Sequence, residues 1–267
     1  MPAQPPTPAP PPTPPPHLTA PPATPPPAPG RPAPPPLTLD WGRTHYETAR
    51  RMQDTLVTQR IENRITDTLI LTEHDPVFTI GQRASAENNL LWPPSRLRAE
   101  GIEVIRTNRG GDITYHGPGQ LVGYPIVSLA PRQDLHAYLR LLEQVLLDTL
   151  DNLGLAAARR PGKTGIWIGP RKIAAIGVAV RRWIAYHGFA LNINVNLRHF
   201  AGIIPCGIAA NDGTVTSLQS ELGHPVAPDK VKHTLHTEFW RHWPRWRDHT
   251  DAPPTTPPPT PPHSLAT

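Results

Sequence analysis

Proline placement limits what this chain can fold into. Twenty of its 39 prolines fall in residues 1–36, and seven more in 253–262. Both stretches are Pro/Ala/Thr-rich with almost no large apolar side chains. They bury too little surface to offset ordering entropy, so disordered or polyproline II tails are expected. That leaves residues 37–248 as one globular domain between tails at 1–36 and 249–267, and it is large enough for a full core. The net charge of +5 belongs mostly to this domain. The charges are scattered, with short pairs such as Arg50-Arg51 and Arg181-Arg182, and no RNA or DNA motif accompanies them. A solvated basic surface is therefore expected rather than a nucleic-acid site. The single cysteine forbids an internal disulfide. No charged n-region with an apolar h-region opens the chain, and no apolar run approaches the ~20 residues that span a bilayer. A cytoplasmic protein without membrane contact is expected.

Periodicity predicts helices and strands in runs. Tyr46, Ala49, Met52 and Leu56 put a helix over 44–60. Asp134 is an N-cap for a helix over 134–153, whose Leu135, Leu139, Leu142, Leu146 and Leu150 share one face before Gly154 stops it. A last helix over 228–242 turns Val231, Leu235 and Phe239 inward. Strands are expected at 68–72, 77–80, 102–106, 121–129 and 187–195, with a hairpin over 166–168 and 173–180. Pro125 argues for an edge or a bulge in the strand at 121–129. Strands outnumber helices and come in runs, which favours an α+β domain with a mixed sheet.

Two stretches carry the chemistry. In Ile-Ile-Pro-Cys-Gly, Cys206 sits between a stiffening proline and a freeing glycine. A lone cysteine is ordinarily a small buried hydrophobe. As a nucleophile it needs a neighbour that stabilises its thiolate and lowers the pKa from about 8.5. Lys172 is the candidate neighbour. It follows the turn Gly169-Pro170-Arg171 and enters the apolar run Ile173-Ala174-Ala175-Ile176-Gly177. Most lysines lie at the surface, whereas an amine in a pocket is desolvated and can shuttle a proton.

The second stretch is Arg109-Gly110-Gly111-Asp112-Ile113-Thr114-Tyr115-His116-Gly117-Pro118-Gly119-Gln120. Its glycine density lets backbone approach a ligand and aims N–H groups at it. The spacing is not that of a dinucleotide fingerprint, and Gly162-Lys163-Thr164 lacks the upstream glycine of a phosphate loop. His116 and His187 each precede a glycine; either is a hydrogen-bonded filler or an orienting group. Neither has a second ligand at zinc spacing, and His233 and His236, three apart on a helix, have no other ligand evident, so no metal and no cofactor are expected.

Together these blocks resemble the lipoyl(octanoyl) transferase family over about residues 40–240. Glu73-His74-Asp75-Pro76-Val77-Phe78-Thr79-Ile80-Gly81 is similar to the family's EHxPVxTxG, and the Arg109–Gln120 stretch to its RGGxxTYHGPGQ. The Lys172–Gly177 block and His187-Gly188-Phe189-Ala190-Leu191-Asn192, running on to Pro205-Cys206-Gly207, complete the set in order. The resemblance implies a biotin/lipoate protein ligase-like fold: a mixed sheet with flanking helices. It implies transfer of an octanoyl or lipoyl group from octanoyl-acyl carrier protein to a lysine. The acceptors would be lipoyl domains of 2-oxoacid dehydrogenase complexes and the glycine cleavage H protein. Cys206 would be the acyl-thioester nucleophile and Lys172 its acid–base partner. The acyl pocket would be carried by Arg109 to His116, Ala175, Ile176, Gly177, Gly188, Phe189 and Ala190. Asn196 stands where the family commonly has aspartate. Two other readings are an ATP-dependent lipoate or biotin ligase and a non-catalytic protein offering its proline tails to a partner.

Overall fold

The computed structural model describes residues 35–205 and 213–248. Cys206 and all but two residues of the proline-rich N-terminal tail lie outside the described residues, as does the C-terminal tail. In chain order the described elements are β1 (Leu37–Thr44), α1 (Tyr46–Ile61), β2 (Thr68–His74), β3 (Val77–Ile80) and α2 (Pro94–Ala99). Next come β4 (Glu103–Arg106), β5 (Thr114–His116), β6 (Gln120–Ser128), α3 (Leu135–Asn152), β7 (Ala158–Arg160) and β8 (Lys163–Ile168). The last are β9 (Arg171–Arg181), β10 (Ile184–Asn192), β11 (Thr214–Val215), α4 (Leu218–Leu222) and α5 (Pro228–Arg247).

The main sheet runs β1-β2-β6-β10-β9-β8-β7, with β11 paired to β9. The β1–β2 and β11–β9 pairs are parallel, and the others antiparallel. This is the expected mixed sheet. Its strands alternate between two cores. Leu69, Leu71, Phe189 and Leu191 turn toward α3 and α5, while Ile70, Val122, Tyr124 and Ala190 turn toward α1. A second sheet, β4-β3-β5, has its own core of Phe78, Trp92, Tyr115, Phe200 and Ile203.

Asp134 caps α3 as expected, its carboxylate accepting from Ala137 N at 2.8 Å. Leu142, Leu146 and Leu150 are buried. Leu135 and Leu139, on the same helical face, instead flank a cavity. The final helix exceeds its expected end and runs to Arg247, because Trp243 and Trp246 stack at 5.3 Å in the core beside Tyr138.

Pro125 lies in an interior strand, contrary to an edge placement. The β6–β10 ladder lapses opposite it, at Tyr186–Gly188. His187 adopts φ +54° there, and its N–H donates to Gln53 Oε1 at 3.1 Å. Proline offers no donor to β10, and the strand next to it has turned its own donor away to α1.

Candidate active site

The Arg109–Gly111 turn is docked by backbone onto β9. Gly110 N donates to Val178 O at 2.8 Å. A Cβ on Gly177 would sit 2.8 Å from Gly110 O, so the close approach requires glycine there. The guanidinium of Arg109 is buried, and its Nη2 donates to Thr79 O at 2.6 Å on β3. Asp112 accepts from Asn89 Nδ2 and from Ile113 N at 2.7–2.8 Å. Arg109 ties the turn to the small sheet and Asp112 ties it to the 3-10 turn that carries Asn89, and the small sheet is thereby held over the face of β9 and β10.

Between the two sheets is a cavity of about 650 Å³. Arg109, Gly110, Gly111, Asp112, Thr114 and His116 line one side of it; Lys172, Ala175, Ile176, Gly177, Gly188, Phe189 and Ala190 line the other. Ile113 and Tyr115 do not line it. They face the small core, because side chains alternate along β5 and its approach. Ala190 pairs with Ala175 and Gly188 with Gly177, so two rungs of paired small residues floor the slot. Lys172 precedes Val178 by six residues on β9, about 20 Å at strand rise.

Lys172 is buried, 6% exposed. Its Nζ lies 5.4 Å from the centroid of the Trp167 ring. Pro205, the residue before Cys206, lines the same cavity. A second, water-sized space of about 20 Å³ is also bordered by Lys172 and Pro205, together with Gln120 and Asn192.

Carbonyls fix the state of the histidines, because they accept and never donate. Asn192 Nδ2 donates to Thr216 O at 2.8 Å, so its Oδ1 faces Gln120, whose Nε2 donates to it at 2.9 Å. Gln120 Nε2 also donates to Tyr115 O at 3.1 Å. Its Oε1 therefore accepts from His116 Nδ1 at 2.7 Å, and Nε2 is the acceptor of that ring. By the same logic His74 Nδ1 donates to Thr44 O at 2.8 Å, and Tyr124 O–H donates to His74 Nε2 at 2.6 Å. Burial pushes His74 down to about 4 and His187 to about 3, and holds His116 well below the usual histidine range. Burial likewise pushes the Tyr46 phenol up to about 12. The cavity wall is thus neutral at these rings near pH 7.

Residues 45–240 match the model of the lipoyl protein ligase A/B catalytic domain. The chain belongs to that family. It is 46% identical over 201 residues to an octanoyltransferase of Geobacter metallireducens, covering 75% of this chain and 90% of the relative. An octanoyltransferase of Gloeobacter violaceus is 50% identical over 184 residues, covering 68% and 80%. Among solved structures, lipoate-protein ligase A bound with ATP superposes with a TM-score of 0.62 at 19% identity, over 78% of this chain and 84% of that one. That likeness concerns the fold.

Within this lipoyl ligase-type domain, several residues that line the site carry no local signal of it. The spacing of Tyr46 marks a helix face and nothing more, yet it lines the cavity and stacks on His116 at 6.1 Å. Tyr124 also lines it, although its alternation in β6 signals nothing beyond a core position. Trp167 and Gly165 touch Lys172 from β8. A tryptophan in an apolar strand carries no signal of that contact. Asn196 is a cap: its Oδ1 accepts from Arg198 N at 3.2 Å at the start of a 3-10 turn over Leu197–Gly202. Aspartate offers the same oxygen, so the departure from the family pattern leaves the cap intact.

Proposed function

We propose that the domain transfers octanoyl groups in lipoate biosynthesis by two half-reactions at Cys206, with Lys172 as the acid–base partner. The chain is an acyltransferase, with carrier-protein donors and lipoyl-domain acceptors. The finer reading names octanoyl-acyl carrier protein as donor, and lipoyl domains of 2-oxoacid dehydrogenase complexes and the glycine cleavage H protein as acceptors. Its setting is the cytoplasm; among the described residues no helix is long and apolar enough to cross a membrane. The unit responsible is the domain over 37–248.

The observation that carries the reading is a buried lysine at one end of a slot floored by small residues, with Pro205 in the same lining. In the first half-reaction the Cys206 thiolate attacks the thioester carbonyl. The carbon–sulfur bond to the donor breaks, and Lys172 gives its proton to the departing thiolate. In the second, the acceptor amine, having shed one proton to solvent, attacks the enzyme thioester and passes a proton to the now neutral Lys172. The carbon–sulfur bond to Cys206 breaks and the thiolate is regenerated beside an ammonium. A thioester is already activated, so no nucleotide is consumed. Backbone N–H groups aimed at the carbonyl would hold its developing oxyanion.

The test is transfer from octanoyl carrier protein to a lipoyl domain, followed by mass in buffer with chelator and no nucleotide. Turnover under those conditions is expected. A strict requirement for ATP and magnesium would move the chain to the ligase class. A variant starting at residue 37 is expected to keep its activity; loss of activity would favour a role for the proline tail.

A further inference from the structure

We infer that Gly165 and Trp167 of β8 form the seat that positions the Lys172 ammonium, an inference that rests on the acid–base reading of Lys172. Two independent features of the strand point to it. A Cβ built on Gly165 would lie 2.5 Å from the Ala174 carbonyl oxygen, 2.7 Å from Lys172 Cε and 3.4 Å from its Nζ. The Ala174 carbonyl and the Lys172 side chain together occupy the space that any other residue at 165 would need. Gly165 also has φ +116°, a backbone conformation that L side chains rarely adopt. Two residues on, the Trp167 ring lies 5.4 Å from the same Nζ, within cation–π range. Trp167 pairs directly with Lys172 in the β8–β9 ladder, and it is 1% exposed. A buried indole holds a desolvated cation more firmly than an exposed one does.

The register explains why one strand supplies both contacts. The β8–β9 pairing shifts between Ile166 and Trp167. Gly165 and Trp167 stand on either side of that irregularity, and both reach Lys172. The seat also borders the segment beyond Cys206. A Cβ on Gly213 would meet the Trp167 ring at 3.3 Å. Trp167 is thus a positioning residue, acting on the reaction through Lys172.

Other charges surround the seat. Arg160 of β7 lies over the same ring at 5.1 Å. Glu143 of α3 approaches Gly165 N at 3.4 Å and is paired with Arg140 at 2.6 Å and Arg159 at 3.0 Å. Arg171, next to Lys172, is held by Glu221 of α4 at 2.7 Å. Lys163 lies in the cavity lining with Lys172.

The experiment is alkylation rate of the single thiol against pH, for the full chain and for Trp167→Leu, Trp167→Phe and Gly165→Ala. Each variant is made with Lys172 intact and with Lys172→Ala. Trp167→Leu is expected to slow alkylation at pH 7 about three- to tenfold, on the scale of a buried cation–π contact. Trp167→Phe keeps an aromatic face and is expected to retain most of the rate. In the Lys172→Ala background neither change should matter. Should Trp167→Leu fail to fold, Trp167→Met, which keeps apolar bulk without the ring, carries the same comparison. If all three seat variants titrate as the unaltered protein while Lys172→Ala shifts, the seat is overturned and the dyad stands. If Lys172→Ala itself does not shift the titration, the acid–base reading fails and the seat with it.

Discussion

The amide of Gly110 donates to the carbonyl of Val178 at 2.8 Å, joining the glycine-rich turn to the strand that carries Lys172. Two stretches almost seventy residues apart thereby become the two walls of one slot. Gly177 permits the contact by lacking a side chain, since a Cβ there would stand 2.8 Å from Gly110 O. Gly177→Ala is therefore expected to lift the turn from β9. The predicted cost is about 1–3 kcal/mol of stability, typical of overpacking, with a larger proportional loss of transfer. Melting and single-turnover transfer measure the two. Wild-type transfer in Gly177→Ala would show that the contact does not shape the slot.

Lys172 offers a second test, separating charge from proton exchange. Lys172→Ala should move the alkylation midpoint of Cys206 toward about 8.5, the ordinary thiol value. Lys172→Arg keeps a positive charge but cannot give up its proton. It should form some acyl-enzyme yet transfer poorly to the acceptor lysine. An arginine variant as fast as the unaltered protein in both steps would rule out the proton relay.

Acid should weaken the fold through its buried histidines. His74 and His187 have folded values of about 4 and about 3, below the unfolded value of about 6.5. The unfolded chain binds these protons first, so the stability they contribute is full above about pH 6.5 and is lost as pH falls toward the folded values. At pH 5 the loss is about 2 kcal/mol for each ring. His74→Gln should lower the melting temperature at pH 7, because Tyr124 and Thr44 lose partners, yet show a flatter decline between pH 7 and pH 5. Parallel declines would remove His74 from the acid response.

Much of this architecture is legible in the sequence, for identifiable reasons. The helix over 134–153 is marked by its leucine spacing and by a capping aspartate that does cap. The catalytic-domain blocks are contiguous, so their order alone points to the family. What escapes is non-local. Pro125 suggests an edge or a bulge because the order in which strands pair is not written in their sequences; only the turned-away backbone of His187 makes an interior place tolerable. Ile113 and Tyr115 sit inside a matched block, but strand alternation sends them into the small core. The seat of Lys172 depends on a register irregularity between β8 and β9, which no spacing of residues announces. β7 and β11 are three and two residues long, and pairing with neighbours rather than their own pattern makes them strands.

The most direct test of the account is the intact mass of the protein after mixing with octanoyl carrier protein in the absence of acceptor. One octanoyl group should appear on the chain, be released by hydroxylamine as a thioester is, and be absent from Cys206→Ala. Addition of a lipoyl domain should discharge it. An adduct that persists in Cys206→Ala, or transfer at full rate without any adduct in the unaltered protein, would contradict the two-step mechanism.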